Sequence, residues 1–265
     1  MKHFIQLLFI SVLALSLSAC IEKNNSEDIV EPDLMKLGEF TDNGISVVAY
    51  AIRPLTVGLN HLYFEVHENG VRYNRPLIRF NTMMHMEDHS HASPYGTPSQ
   101  DREATYNLYK SWAIFTMPSG MMGTWELQIT ILNATQSATV ASGNIQISVE
   151  QANNVSTFMA EDGSRYVLTL INPSSPKVGM NNLEVAIHKR ESMMEFPPVV
   201  NAVISFHPWM PSMDHGSSNN VSPVHQSDGF YKGQVNFNMT GDWQLRFDIQ
   251  INGMTIDRRT FDLEF

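Results

Sequence analysis

The stretch Gly241-Asp-Trp-Gln-Leu-Arg-Phe-Asp-Ile-Gln-Ile251 decides the fold class of this 265-residue chain. From its tryptophan onward every second residue is apolar, and the residues in between are Gln, Arg, Asp and Gln. A period of two is typical of a β-strand with one buried and one wet face. Trp125-Glu-Leu-Gln-Ile-Thr-Ile131 has the same pattern, and shorter alternating segments begin at Leu62 and Leu183. No segment downstream of residue 20 shows a sustained helical period, so we predict an all-β protein.

An internal repeat organises the chain. Val57-Gly-Leu-Asn-His-Leu matches Val178-Gly-Met-Asn-Asn-Leu at an offset of 121 residues. Two further matches follow in the same order, at offsets of 122 and 118: Phe115-Thr-Met with Phe237-Asn-Met, and Gly123-Thr-Trp with Gly241-Asp-Trp. Motifs that recur in one order at nearly one offset indicate two copies of one domain. Six or seven short strands in about 110 residues are typical of an immunoglobulin-like β-sandwich, so we predict tandem sandwiches at 39–150 and 160–265.

The first residues have the features of an export signal. Lys2 precedes a mostly apolar run of about fifteen residues, which is too short for a membrane-spanning helix. Leu17-Ser-Ala-Cys20 closes the run and resembles the bacterial lipobox, in which the cysteine is acylated and becomes the mature N-terminus. We predict a lipoprotein signal peptide at 1–19, lipidation of Cys20, and a flexible tether at 20–38, because that segment is polar and aperiodic. An ordinary secretory signal with a chance cysteine is the alternative.

The predicted location is the cell envelope. Ile21 follows the cysteine and, by resemblance to bacterial sorting signals, favours the outer membrane, with the protein facing the periplasm or the cell surface. The net charge of −10 argues against a nucleic-acid partner, because phosphate binding needs a basic face. The sequence has no nucleophile elbow, no phosphate-cradling glycine loop and no recognisable pair of carboxylates, so we predict no enzymatic activity.

Two stretches rich in methionine and histidine suggest a function. His207-Pro-Trp-Met-Pro-Ser-Met-Asp-His-Gly216 has two thioethers and two imidazoles, and Met83–His91 has three of each. A gapless alignment gives these pairs: Phe80 with Phe206, Met84 with Met210, Asp88 with Asp214, and His89 with His215. Sulfur and imidazole together form the donor set that suits copper, especially Cu(I).

We therefore predict copper ligands in both stretches, with Cu(I) as the favoured ion. The downstream candidates are Met210, Met213 and His215, with His207 as a fourth. The upstream candidates are Met84, Met86 and His89, with His85 and His91 nearby. The two sites are not expected to be equivalent, because the alignment sets Glu87 against Met213.

Other interpretations of these residues stay open. The methionine-rich loops could dock on a hydrophobic partner, or they could simply pack against the fold. Zinc is a poorer match, because no cysteine is available and no tight carboxylate–histidine pattern recurs in both copies. Met117 and Met239 follow strand spacing and are predicted to fill the core. His67 and His188 lie at the ends of predicted strands. We interpret each as either a buried core residue or a residue at the rim of the sheet.

These residues resemble the YtkA-like (FixH-like) family of exported bacterial domains. The resemblance rests on three segments of the second copy: Met210-Pro-Ser-Met-Asp-His-Gly216, Gly229-Phe-Tyr-Lys-Gly-Gln-Val-Asn-Phe-Asn-Met239 and Gly241-Asp-Trp-Gln-Leu245. The first copy is similar to a divergent relative, with Met84-His-Met-Glu87 in place of Met-Pro-x-Met. The resemblance implies a small exported β-sandwich whose relatives are associated with copper handling or oxidase assembly.

The sequence thus suggests a lipid-anchored copper carrier, chaperone or buffer. Its partners would be the membrane, through the anchor on Cys20, and a protein that donates or accepts the metal. The alternative is a non-enzymatic module that docks on a membrane protein complex through its methionine-rich loops, without metal.

Overall fold

The structure is a computed structural model that describes residues 34–265 except 74, 134, 136 and 137. The predicted signal peptide, Cys20 and most of the predicted tether lie outside these residues. Within them, strands dominate, α-helix is absent, and one short 3₁₀ helix spans Pro211–Met213. No helix in this part of the chain is long and apolar enough to cross a membrane. The predicted all-β sandwich fold is confirmed.

The first sandwich is formed by eleven strands between residues 35 and 150. They are β1 (Met35–Asp42), β2 (Ile45–Ala51), β3 (Leu55–Thr56), β4 (Gly58–Glu68), β5 (Val71–Arg72), β6 (Leu77–His85), β7 (Ser90–His91), β8 (Tyr109–Phe115), β9 (Thr124–Leu132), β10 (Thr139–Ile147) and β11 (Val149–Glu150). One sheet has the order β1-β2-β4, with β5 and β8 both paired to β4. The facing sheet has the order β10-β9-β6-β7, and β3 pairs with β11 in a short parallel ribbon.

The second sandwich is formed by the remaining nine strands. They are β12 (Val155–Met159), β13 (Arg165–Asn172), β14 (Gly179–Arg190), β15 (Ala202–Met210), β16 (His215–Gly216), β17 (Val221–Ser227), β18 (Phe230–Phe237), β19 (Asp242–Ile251) and β20 (Met254–Glu264). One sheet has the order β12-β13-β14-β18-β17 and the other β16-β15-β19-β20. The same arrangement therefore recurs: β1-β2-β4-β8 corresponds to β12-β13-β14-β18, and β7-β6-β9-β10 to β16-β15-β19-β20.

Each sandwich buries its own apolar core, which follows from the period of two. Trp125 and Trp243 are fully buried at the start of β9 and β19, and the alternating apolar residues behind them face the opposite sheet. Burial of each such side chain stabilises the fold by about 1.5–3 kcal/mol relative to exposure. Because the outward-facing residues of these strands are polar, only one register buries the apolar set.

The first sandwich begins earlier than the predicted boundary at residue 39. Strand β1 starts at Met35, so Met35, Lys36 and Gly38 of the predicted tether are paired with β2. The pairing register shifts between Lys36 and Gly38, and this bulge interrupts the alternation that marks a strand. Strand β12 likewise lies in the segment between the two predicted domains.

The two sandwiches pack against each other through a third apolar cluster. Its buried members are Ile114 from the first sandwich and Val167 and Ala186 from the second. The Trp112 ring meets the Phe230 ring edge-on, with 5.1 Å between centroids. Residues 34–265 consequently lie in one compact unit.

Candidate metal centre

Each sandwich places a methionine and a histidine opposite each other at the end of one sheet. In the first sandwich, Met84 at the end of β6 pairs with His91 on β7. In the second, Met210 at the end of β15 pairs with His215 on β16. The two pairs occupy equivalent positions, because β6-β7 and β15-β16 are equivalent edges of the repeated sheet. We call them the first and second Met/His ends.

The two histidine rings are held in the same way. The Nδ1 atom of His91 lies 2.8 Å from the carbonyl oxygen of Ala92, and that of His215 lies 2.8 Å from the carbonyl oxygen of Gly216. A carbonyl only accepts, so each Nδ1 carries the proton and donates it. In this tautomer the lone pair of each ring is on Nε2, and a neutral imidazole nitrogen with a free lone pair can bind a metal ion. Burial also lowers the pKa of His91, which keeps this ring neutral near pH 7.

A tryptophan packs on the histidine of each end and donates a hydrogen bond to the backbone of a second methionine. The Trp125 ring meets the His91 ring edge-on at 5.5 Å between centroids, and Trp243 meets His215 in the same manner at 6.0 Å. Each indole nitrogen donates to the carbonyl oxygen of the methionine that follows β8 or β18: Trp125 to Met117 at 2.9 Å, and Trp243 to Met239 at 3.0 Å. In each sandwich a tryptophan therefore links the Met/His end to the backbone of the methionine that follows β8 or β18.

A glycine lies close to the side-chain tip of the strand methionine at each end. Gly241 has a φ of +136°, and a Cβ atom there would lie 2.7 Å from Cε of Met210. Gly123 has a φ of +150°, and its Cβ would lie 3.0 Å from Cε of Met84. The repeated Gly-x-Trp motif thus holds the tryptophan and leaves room for the methionine tip.

The strand register corrects the gapless alignment of the two stretches. That alignment paired His89 with His215, but the residue opposite Met84 is His91. Six residues separate Met84 from His91, whereas four separate Met210 from His215. The longer upstream loop shifts the equivalent histidine by two positions and leaves His89 exposed.

His85 lies on the opposite face of β6 from Met84, because neighbouring residues of a strand point to opposite faces. Its Nε2 lies 2.9 Å from the Glu126 carboxylate, and its Nδ1 lies 3.1 Å from the Ser90 hydroxyl. Both ring nitrogens are engaged, so the structure does not bring His85 to the first Met/His end. Burial alone would raise the pKa of Glu126, but hydrogen bonds from His85 and two glutamines outweigh it and lower the pKa.

His207 is separated from the second Met/His end by the same rule. It is exposed on β15 opposite Arg246, whereas Met210 lies on the buried parity of that strand. Met213 follows in the 3₁₀ helix and is 58% exposed. Ser212 anchors this helix through backbone and side-chain hydrogen bonds to Asp242 at the start of β19.

Five other methionines differ in their exposure. Met86 and Met117 are partly buried against the first core. Met239, predicted to fill the core, lies beyond β18 and is 38% exposed. Met121 and Met122 form the tip of a tight hairpin and are fully and 61% exposed, respectively. Met117 packs against the core as predicted, whereas Met239 does not, and both precede the Gly-x-Trp motif of their copy.

The two weaker histidine candidates are not part of these ends. His188 is fully buried between the sandwiches beside Trp112 and Phe230. His67 is half-buried near the Glu65 carboxylate. Across the described part of the chain, no three His, Cys, Asp or Glu side chains cluster as a metal site.

The sequence of residues 160–248 matches the YtkA-like family. No curated protein matches the chain. Similar solved structures include FdeC, an adhesin of Escherichia coli, at 12% identity and a TM-score of 0.25, covering 86% of this chain and 65% of that one. A conserved domain protein from Bacillus anthracis is similar at 9% identity and a TM-score of 0.35, covering 89% and 92%. Domains 5–6 of the S-layer protein SbsC are similar at 8% identity and a TM-score of 0.27, covering 88% and 98%.

Proposed function

We propose, on the premise that residues 160–248 form a YtkA-like domain, that this protein binds Cu(I) and acts as a carrier, chaperone or buffer. One observation carries the proposal. A methionine faces a histidine across the same strand pair in both sandwiches, and each histidine donates its Nδ1 proton to the next carbonyl. Both copies of the repeated domain keep this arrangement, which supports a shared role.

The chemistry of the donors favours a soft, singly charged ion. Thioethers are neutral and polarisable and suit Cu(I), whereas Zn²⁺ is usually held by thiolate, imidazole or carboxylate. The proposed ligands are Met84, His91 and Met117 at the first Met/His end, and Met210, His215 and Met239 at the second. Trp125 and Trp243 would each contribute the face of an aromatic ring beside the cation.

The two ends offer the ion different surroundings. His91 and Met117 line a cavity of about 570 Å³ between the sandwiches. Met239 and Met213 at the second end are exposed. We therefore expect the second end to exchange its ion faster, and Met213 to act as an outer thioether there.

The direct test is anaerobic titration of the full chain with Cu(I) against a chromogenic chelator. Two equivalents should be retained, and Met210→Leu combined with His215→Phe should remove one of them. Met84→Leu combined with His91→Phe should remove the other. These substitutions keep side chains of similar volume, so the cores stay filled.

The matched control is His207→Phe, which changes an exposed histidine on the same strand as Met210 but on its other face. It should retain two equivalents. Failure of the wild-type protein to compete for Cu(I), or equal uptake by the double variants, would refute the proposal.

A second function is favoured by the exposed hairpin tip. Met121 and Met122 place apolar surface in water, which is unusual unless a partner covers it. We propose as the alternative that these residues dock on a membrane protein complex. Met121→Ser with Met122→Ser should then abolish co-purification of that complex while leaving Cu(I) uptake unchanged. If the double variant co-purifies the same proteins as the wild type, the docking function is excluded.

Attachment to the cell envelope through Cys20 stays a prediction of the sequence. Labelling of cells with radioactive palmitate should mark the wild-type protein and not Cys20→Ala. Release of the variant into the soluble fraction would support the anchor, and equal labelling of both would contradict it.

A further inference from the structure

The cavity between the sandwiches has a second chemical feature, a pair of arginines, beside the His91 and Met117 side chains of the first Met/His end. Arg165 on β13 stands directly opposite Arg190 on β14, and both line the cavity. Like charges directly opposite each other on a sheet are destabilising. Burial, together with the neighbouring Arg165 charge, lowers the pKa of Arg190.

No carboxylate of the described chain forms an ion pair with either arginine. Among the residues that the structure describes, the guanidinium of Arg190 donates a hydrogen bond only to the sulfur of Met193. Asp162 and Glu191 line an adjoining groove that the arginines also reach. The Asp162 carboxylate accepts from the backbone and hydroxyl of Ser164 instead. This lack of pairing occurs in a chain with 27 acidic and 17 basic residues.

The rest of the cavity wall is largely apolar. Phe196 and Met159 come from the second sandwich and Met117 from the first, and no acidic residue lines the space. A volume of about 570 Å³ suits a small organic molecule. A pair of guanidiniums at one side of an apolar cavity matches a ligand with an oxyanion head and an apolar body.

We propose that this cavity binds an organic oxyanion, a carboxylate or phosphate monoester on an apolar body, with its head between Arg165 and Arg190. The body lies against Phe196, Met159 and Met117. Since both sandwiches supply the wall, such a ligand also ties them together. The site goes beyond the proposed copper function and shares Met117 with it, but its oxyanion head contacts the arginines, which are not proposed copper ligands.

Isothermal titration of the full chain with decanoate and with decyl phosphate tests the site. Each should bind with one-to-one stoichiometry, and the tighter of the two identifies the head group. Decanol lacks the oxyanion head and inorganic phosphate lacks the apolar body. Both should bind at least about tenfold more weakly. Equal binding of decanol overturns the role of the arginines, and equal binding of inorganic phosphate overturns the apolar body.

Substitution provides the second arm. Arg165→Gln with Arg190→Gln should weaken binding at least about tenfold. Arg53→Gln, an exposed arginine of the first sandwich away from this cavity, should leave binding unchanged. The double variant removes a repulsive pair, so its unfolding temperature should equal or exceed that of the wild type. Decanoate should raise the unfolding temperature of the wild type only. Equal binding by both proteins, or no saturable binding by the wild type, refutes the proposal.

Discussion

His188 should make the stability of this protein depend on pH. The ring is 2% exposed, lies between Trp112 and Phe230, and has no hydrogen-bond partner at Nδ1. Burial lowers its pKa to about 4. The pKa of a histidine in an unfolded chain is about 6.5. Below that pH the unfolded chain therefore binds a proton that the folded protein excludes. Stability therefore falls as the pH falls from about 6.5 towards the folded pKa.

The magnitude follows from the two pKa values. At pH 7 the two states differ little in protonation of His188. At pH 5 the unfolded residue is almost fully protonated and the folded one is almost fully neutral. Integration from pH 7 to pH 5 gives a loss of about 1.8 kcal/mol in the free energy of unfolding. Such a loss is a large fraction of the stability of an ordinary domain.

Urea unfolding at pH 7 and pH 5 measures this loss. The wild type should lose about 1.8 kcal/mol more than His188→Leu between the two pH values. His91 and His61 also have pKa values lowered by burial and contribute in the same direction, but they are present in both proteins. The exposed His207→Leu variant should keep the wild-type pH dependence. An equal pH dependence of wild type and His188→Leu would refute the inferred burial of a neutral ring.

Three further substitutions test the packing around the Met/His ends and the second core. Glu126→Gln removes the charge that His85 contacts and should cost about 1–3 kcal/mol at pH 7 by urea unfolding. The pKa of Glu126 is lowered, so this difference should vanish as the pH falls through that pKa, and a constant difference would contradict the assignment. Gly241→Ala forces a Cβ atom onto Met210 at positive φ and should lower the unfolding temperature, with a cost of about 1–3 kcal/mol; an unchanged temperature would count against the close approach. Tyr231→Phe removes a hydroxyl that donates to one backbone carbonyl and accepts from one backbone amide, and should cost about 1–3 kcal/mol by urea unfolding; a neutral result would show that water replaces it.

The alternation of apolar and polar residues is a local property, and it determined much of the fold. The period of two that begins at Trp125 and Trp243 predicted strands β9 and β19, and the repeated motifs predicted the tandem arrangement of the sandwiches. The richness in methionine and histidine also pointed to the strand ends at which Met84 faces His91 and Met210 faces His215. Strand β1 was missed because its bulge breaks the alternation on which such predictions depend.

The tertiary structure alone decided which of these side chains meet. Sequence proximity grouped His85 with Met84 and His207 with Met210, but strand geometry sends each histidine to the opposite face from its methionine. Pairing with β7 brings His91 to Met84 instead, because the loop between them is two residues longer than its counterpart. Composition and periodicity are local properties of the sequence. The strand register, and therefore which side chains face each other, depends on hydrogen bonds between distant strands. For that reason the sequence predicted the sandwiches and the proposed donor residues, and the fold determined which of those residues face each other.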